Sequence, residues 1–125
     1  EAPVTKLLEA TPDVLAAHGV EIVHHFGGGV YAKEARIPAG TMLVQHSHPH
    51  AHLSVLAAGR VSVKQVDMLR GLFEAREVEH EAPACITIPA GVQHSVTAIT
   101  DATWMCIHQS DETDAAKIDG AILHG

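Results

Sequence analysis

Aromatic residues are scarce in this chain: Phe, Trp and Tyr together make up 3% of its 125 residues. A core built on large stacked rings is therefore excluded, and the apolar interior has to come from Val, Ile, Leu and Ala. Apolar residues of all kinds still reach 46%, which is an ordinary share for a globular protein. Because β-branched residues favour strands, this composition predicts strands at the Val-, Ile- and Thr-rich segments.

Cysteine is also rare. Only Cys85 and Cys106 are present, and each lies inside an apolar run. This setting favours buried free thiols, with a disulfide between them as the alternative. Two cysteines are weak evidence for an oxidising compartment. No secretory signal is visible in the sequence either, so we expect a cytoplasmic protein.

Clusters of basic residues and long hydrophobic runs are missing as well. The formal net charge is −7 with the histidines neutral. Nucleic-acid binding needs a basic surface, so we expect no nucleic-acid partner. No apolar stretch approaches the roughly 20 residues that span a bilayer, and we expect no membrane partner.

The length is that of one domain, and we expect a single domain over 1–125 with a barrel core over about 21–109. Short apolar or alternating segments, separated by Gly- and Pro-containing turns, run through this core. They predict an all-β sandwich or barrel. A hairpin turn is expected around Gly71. The predicted strands are 21–26, 31–37, 41–48, 53–57, 61–66, 73–79, 85–88, 94–99 and 103–109.

Helices are predicted only at the two ends of the chain. Near the N-terminus, Thr11 is suited to an N-cap, Pro12 to the first helical position and Gly19 to the helix end. Near the C-terminus, three acidic residues at 111–114 suit the positive end of a helix dipole. We therefore expect a short N-terminal helix and a C-terminal helix over about 111–123.

Histidine is strongly enriched, with eleven copies, and the segment 46–52 reads HSHPHAH. Residues two apart on a strand share a face, so His46 and His48 should project together from the end of the strand at 41–48. If the next strand pairs antiparallel with it, His52 returns beside them. His94 opens a later strand and is a fourth candidate. Neutral imidazoles are good ligands for Zn, Fe, Ni, Mn or Cu.

Other histidines carry less weight. His50 lies in the turn beside Pro49, and we expect it to stay outside the site. Alternation puts Trp104, Cys106 and His108 on one face of the last strand. If that face points inward, His108 lines the pocket as a catalytic proton carrier; the alternative is a surface histidine at the strand end.

At this point the sequence resembles the cupin superfamily. The first cupin motif is a glycine, five residues, HxH, three or four residues, a glutamate, six residues and a glycine. Gly40, His46, His48 and Gly59 stand at the matching positions here, and His52 replaces the glutamate. In the second motif, Pro89-Ala90-Gly91-Val92-Gln93-His94 matches PxG, two residues and a histidine. Its leading glycine and its last asparagine are replaced by proline and alanine, at 83 and 98.

The resemblance implies an all-β, cupin-type jelly-roll β-barrel of six to eight strands that holds one divalent transition metal. It implies that His46, His48, His52 and His94 are the metal ligands. Three His and one Glu leave a divalent site with a net charge of about +1, whereas four neutral His leave about +2. The second arrangement is the stronger Lewis acid.

These features favour a metal-dependent enzyme, of dioxygenase type, that acts on a small organic molecule. Four ligands would leave two positions open on an octahedral metal, for substrate and dioxygen. Two alternatives are a non-oxidative metal-dependent isomerase or lyase, and a non-catalytic small-molecule-binding cupin. We also expect a homodimer, with the apolar Val4, Leu7 and Leu8 of the N-terminal segment covering a partner.

Overall fold

The computed structural model describes residues 5–8, 12–45, 48–67 and 74–118. This part of the chain contains ten strands and one short helix, α1 (Pro12–Ala17). No helix in it has the length and apolar character needed to cross a membrane. The strands are β1 (Thr5–Leu8), β2 (Glu21–Gly27), β3 (Val30–Ile37), β4 (Thr41–Gln45), β5 (His52–Ala58), β6 (Arg60–Asp67), β7 (Glu74–Glu81), β8 (Ala84–Ile88), β9 (Val92–Ala98) and β10 (Ala102–Gln109).

The strands form two five-stranded sheets. One sheet has the order β1-β4-β9-β6-β7, and the other has the order β2-β3-β10-β5-β8. Every pairing is antiparallel except that of β1 with β4, which is parallel. Consecutive strands such as β4 and β5, or β9 and β10, lie in opposite sheets, so the chain crosses repeatedly between the two. The fold is a jelly-roll β-barrel, which confirms the predicted fold class.

The core lies between the two sheets. Buried and less buried residues alternate along β9 and β10, as expected for strands with one face turned inward. Val61 and Val96 from one sheet pack with Leu56 and Trp104 from the other, and all four are fully buried. Burying such side chains stabilises the fold by roughly 1.5–3 kcal/mol each, and this contact fixes the strand ends that carry the histidines.

The N-terminal helix is confirmed, and its C-terminal end shows why it stops. Gly19 has a φ of 79°, and its N–H donates to the carbonyl of Ala16 at 3.0 Å. The N–H of Val20 donates to the carbonyl of Leu15 at 2.9 Å. These two hydrogen bonds form a Schellman motif, which requires a left-handed residue at the glycine. The predicted N-cap, Thr11, lies outside the described residues.

Within the described residues, the predicted C-terminal helix is represented by a single helical turn that begins later than predicted. The N–H of Glu112 donates to Ser110 Oγ at 3.2 Å, and 111–114 form no helical turn. Asp114 Oδ1 then accepts a hydrogen bond from the Ala116 N–H at 2.9 Å, and its carbonyl accepts one from Ile118 at 3.1 Å. Asp114 is therefore the N-cap. The predicted stretch 119–123, and the turn around Gly71, lie outside the described residues.

Two expectations about the strands beside the histidines are wrong. His48 is not the end of a strand but part of the loop before β5, where its carbonyl accepts a hydrogen bond from the Gly91 N–H at 2.9 Å. In addition, β5 does not pair with β4; it pairs with β8 and β10 in the opposite sheet. The last described pair of the ladder between β4 and β9 is Gln45 with His94, and the chain then crosses to the opposite sheet instead of forming a hairpin.

Candidate metal centre

Four buried histidines gather at one end of the barrel. His48 comes from the loop before β5, His52 is the first residue of β5, His94 lies in β9 and His108 lies near the end of β10. Their exposed fractions are 9%, 6%, 1% and 2%, respectively. Several histidines are seldom buried this completely in one place, because each ring carries two polar nitrogens that need hydrogen-bond partners. Both sheets contribute to the cluster.

The potential ligand atoms fall into two overlapping groups. The rim-side triad consists of His48, His52 and His108, and the core-side triad consists of His52, His94 and Cys106; within each triad the atoms lie within 4.8 Å of one another. The ring centroids of His52 and His108 are 4.5 Å apart, and those of His48 and His52 are 5.1 Å apart. His52 belongs to both triads and is the centre of the cluster.

The ring nitrogens of this cluster lack the partners that burial demands. Both nitrogens of His52 and both nitrogens of His94 are buried without a hydrogen-bond partner among the described residues. The Nδ1 atom of His108 is in the same condition. An unsatisfied buried polar atom costs roughly 1–3 kcal/mol, so five of them at one place would be expensive in a finished protein. A metal ion satisfies such nitrogens directly, and the donor set therefore fits a divalent transition metal.

Solved structures that resemble this chain include a cupin. A cupin superfamily protein from Desulfitobacterium hafniense is 12% identical with a TM-score of 0.58, over 74% of this chain and 78% of that one. Oxalate oxidase in complex with glycolate is 18% identical with a TM-score of 0.65, over 84% of this chain and 55% of that one. This chain has the cupin fold.

Other likenesses agree with the cupin fold. A conserved protein of unknown function from Streptococcus pyogenes is 13% identical with a TM-score of 0.59, over 86% of this chain and 82% of that one. Iron(II) HppE is 11% identical with a TM-score of 0.56, over 69% of this chain. The match with this chain covers about half of the length of HppE and of oxalate oxidase, at 48% and 55%, respectively. No family model and no curated protein matches the chain.

The histidines inside the cupin barrel are held neutral. Burial, together with the smaller effects of the neighbouring His48 and His50, lowers the pKa of His52 from 6.5 to about 4. Burial likewise lowers the pKa of His94 to about 3 and that of His108 to about 3. Neutral imidazole is the form that binds metals, so the barrel keeps these side chains ready as ligands down to mildly acidic pH.

The structure brings together most of the site residues predicted from the sequence. His48, His52 and His94 lie in the cluster, although His48 and His94 belong to different triads. His46 lies outside the described residues. His108 is buried and faces inward, which is one of the two arrangements that the sequence leaves open, and its ring centroid is 4.6 Å from that of His48.

His50 and Cys106 lie closer to the site than the sequence predicts. The half-buried His50 has its ring centroid 5.8 Å from that of His108, and its Nε2 is buried without a partner among the described residues. Cys106 contributes a sulfur to the core-side triad. The sequence places Cys106 on the same face of β10 as His108, but it does not reveal that the sulfur approaches His52 and His94.

Tyr31 is a packed ring next to the cluster. It is fully buried, and its hydroxyl forms a hydrogen bond of 2.7 Å with His24 Nδ1. Its ring packs against Phe26 and Ile118 and lies 6.4 Å from His108 between centroids. Tyr31 therefore supports the position of the His108 ring from behind.

Proposed function

We propose that this cupin-fold chain is a metal-dependent enzyme of dioxygenase type that acts on a small organic molecule. The proposed ligands are His46, His48, His52 and His94, with one divalent metal among Fe, Mn, Ni, Zn or Cu. The observation that carries the proposal is the set of buried, unpartnered nitrogens on His52 and His94. Side chains in that condition are retained where a ligand satisfies them.

A bound divalent ion would supply a Lewis acid and open coordination positions for a substrate oxygen or thiolate. The other roles in the reaction are carried out by side chains of the protein. His108 is neutral at pH 7, since its pKa is about 3. It therefore hydrogen-bonds the ligand as a neutral imidazole and accepts a proton only from a strongly acidic group. Its unpartnered Nδ1 is the atom available for this role.

The barrel excludes water from one side of this site. Trp104 is fully buried beside the cluster, with its ring centroid 6.5 Å from that of His94. Leu56 and Val96 belong to the same buried cluster as Trp104. Electrostatic interactions strengthen in such a setting, because low-dielectric surroundings replace water.

The choice of oxygen chemistry is supported by the fold relatives. Oxalate oxidase was solved with glycolate, and HppE was solved with iron(II) and with substrate. The name of oxalate oxidase states an oxidation, and HppE was solved with iron, a redox-active metal. Both observations suit the dioxygenase proposal. The shared fold alone does not fix function, so this choice depends on the experiment.

The decisive experiment combines metal analysis with oxygen uptake. Protein purified without a His-tag should contain a near-stoichiometric transition metal. The iron- or manganese-loaded protein should then consume oxygen with a member of a panel of chelating diketones, thiols and catechols. Metal-loaded protein that consumes no oxygen with any of them would contradict the proposal. Full activity with redox-inert zinc would instead favour the isomerase or lyase alternative.

We further propose that the protein is a cytoplasmic homodimer. Both cysteines are free thiols, which suits a reducing compartment. The N-terminal strand β1 pairs at the edge of one sheet, beside β4, where a partner subunit can extend the contact. A monomeric mass by light scattering would contradict the dimer.

A further inference from the structure

Cys106 has surroundings that an ordinary buried cysteine does not have. It is 4% exposed and belongs to the edge of the hydrophobic core. Yet its sulfur lies 3.6 Å from Ser54 Oγ and 3.9 Å from Gln45 Oε1. On its other side, its sulfur lies within 4.8 Å of the His52 and His94 ligand atoms. The thiol therefore faces polar groups on several sides.

The spacing of the core-side triad is close to that of a bound metal. A tetrahedral zinc site has Zn–N bonds of about 2.1 Å and Zn–S bonds of about 2.3 Å, so its ligand atoms are roughly 3.4–3.6 Å apart. The three ligand atoms here lie within 4.8 Å of one another. Rotation of the two imidazole rings would bring the ligand atoms to the shorter separation. The three side chains come from β5, β9 and β10.

We propose that Cys106 is a metal ligand, which completes a thiolate-containing site with His52 and His94. The inference rests on the proposed function in one respect, namely that a metal binds at the histidine cluster. It adds a soft sulfur donor from β10 to the imidazoles. A thiolate favours zinc, copper(I) or iron over harder ions such as magnesium or manganese.

Ser54 and Trp104 suit a thiolate, whereas Gln45 Oε1 accepts a hydrogen bond from the protonated thiol. Ser54 is fully buried, and its hydroxyl is positioned to donate to the sulfur. The indole N–H of Trp104 has no acceptor within bonding distance among the described residues, yet it lies close enough to favour the ionised sulfur. Burial raises the pKa of the Cys106 thiol, so the free thiol stays protonated. The metal replaces that proton, which is released to solvent when the metal–sulfur bond forms.

Cobalt(II) spectroscopy tests this assignment without any measurement of activity. A cobalt–thiolate bond gives a charge-transfer band in the near ultraviolet, and cobalt in any protein site gives visible ligand-field bands. We would titrate metal-free wild type, Cys106→Ser and Cys85→Ser with cobalt(II). Cys85 is the matched control, because it is exposed on β8. The charge-transfer band should appear in wild type and Cys85→Ser and disappear in Cys106→Ser, while the visible bands remain.

The other outcomes separate the two proposals. Visible bands without a charge-transfer band in wild type would overturn the role of Cys106 and leave the metal centre standing. A charge-transfer band that persists in Cys106→Ser would overturn it too. No cobalt bands in any of the three proteins would overturn both proposals.

A second measurement covers the case in which Cys106→Ser fails to fold. Zinc K-edge X-ray absorption on the Cys85→Ser protein leaves the buried cysteine unchanged. A sulfur scatterer at about 2.3 Å is expected from a zinc–cysteine bond. A first shell made only of nitrogen and oxygen at about 2.0–2.2 Å would overturn the proposal.

Discussion

The imidazole rings of His52 and His108 lie nearly parallel, 27° apart in plane and 4.5 Å apart between centroids. They come from β5 and β10, which pair in one sheet through Leu53 and Ile107. Neither ring is charged at neutral pH, because burial holds both pKa values far below 6.5. Two neutral rings tolerate this closeness, whereas two imidazolium ions would repel. The short distance between the two rings therefore depends on both being uncharged. A bound metal ion keeps them uncharged, because it binds neutral imidazole.

His52→Ala should reduce metal affinity more than either His94→Ala or His108→Ala. His52 belongs to both triads, whereas His94 and His108 each belong to one. The measurement is metal content by elemental analysis after dialysis against a weak chelator. His25→Ala is the matched control, since His25 is exposed and bonded to Glu34 at 3.0 Å. Equal retention in His52→Ala and His25→Ala would contradict a shared central ligand.

His52→Glu should make folding depend more strongly on metal. The cupin motif has a glutamate at this position, and a carboxylate would lower the charge of a divalent site by one unit. Without metal, the carboxylate would be buried next to neutral imidazoles, which costs at least about 1–3 kcal/mol. The metal-free variant should therefore melt below wild type, and metal should raise its melting temperature by more than it raises that of wild type.

The control for this variant is His52→Gln, which removes the ligand without adding a negative charge. His52→Gln should show a smaller metal-induced shift than wild type. A metal-induced shift in His52→Glu that is no larger than in His52→Gln would show that position 52 does not contact the ion. Differential scanning calorimetry with and without zinc measures all three proteins.

Much of the barrel can be predicted from the sequence because strand periodicity is a local property. The alternation along 61–66 and 103–109 identifies β6 and β10, and it places His108 and Cys106 on one face of β10 without deciding that this face points inward. The parallel strand β1 escapes prediction, since its four residues are too few for a period. The crossing from β4 to β5 also escapes, because nothing local distinguishes a hairpin from a passage to the opposite sheet.

Part of the candidate site can likewise be predicted from the sequence, and part cannot. The HxH spacing and the PxG turn identify His48, His52 and His94 through two motifs that are far apart in sequence. The hydrogen bond from the Gly91 N–H to the His48 carbonyl joins these motifs in space. The sulfur of Cys106 could not be assigned from the sequence, because its neighbours come from three different strands. The low pKa values of His52, His94 and His108 likewise depend on burial, which only the folded chain produces.

Gly59→Ala should destabilise the protein far more than Gly28→Ala. Both glycines have positive φ, at 84° and 61°. A Cβ at Gly59 would meet the backbone oxygen of Asp101 and lie 2.9 Å from the Cα of Ala102, whereas a Cβ at Gly28 would meet nothing within 4 Å. Left-handed strain alone costs about 1–2 kcal/mol, so we expect that loss for Gly28→Ala and more than about 3 kcal/mol for Gly59→Ala. Urea unfolding measures both, and equal losses would contradict the steric argument.

Metal-free protein should lose stability as the pH falls from about 6.5 towards 4. In the unfolded chain the histidines take up protons near pH 6.5, whereas His52 does so near 4 and His94 and His108 near 3 in the folded chain. Between these values the unfolded state binds more protons, so the free energy of unfolding decreases with decreasing pH. Each histidine contributes up to about 1.4 kcal/mol per pH unit.

Urea unfolding of the metal-free protein from pH 7.5 to 4.5 measures this slope. His94→Gln should flatten it by up to about 1.4 kcal/mol per pH unit, because one of the buried bases is removed. His18→Gln is the control, since His18 is exposed at the end of α1, and it should leave the slope unchanged. A free energy of unfolding that stays constant over this range would mean that the histidines are not buried in neutral form. The acid sensitivity of metal binding would then begin near pH 6, as unperturbed imidazoles predict, and not at the lower pH that the folded barrel implies.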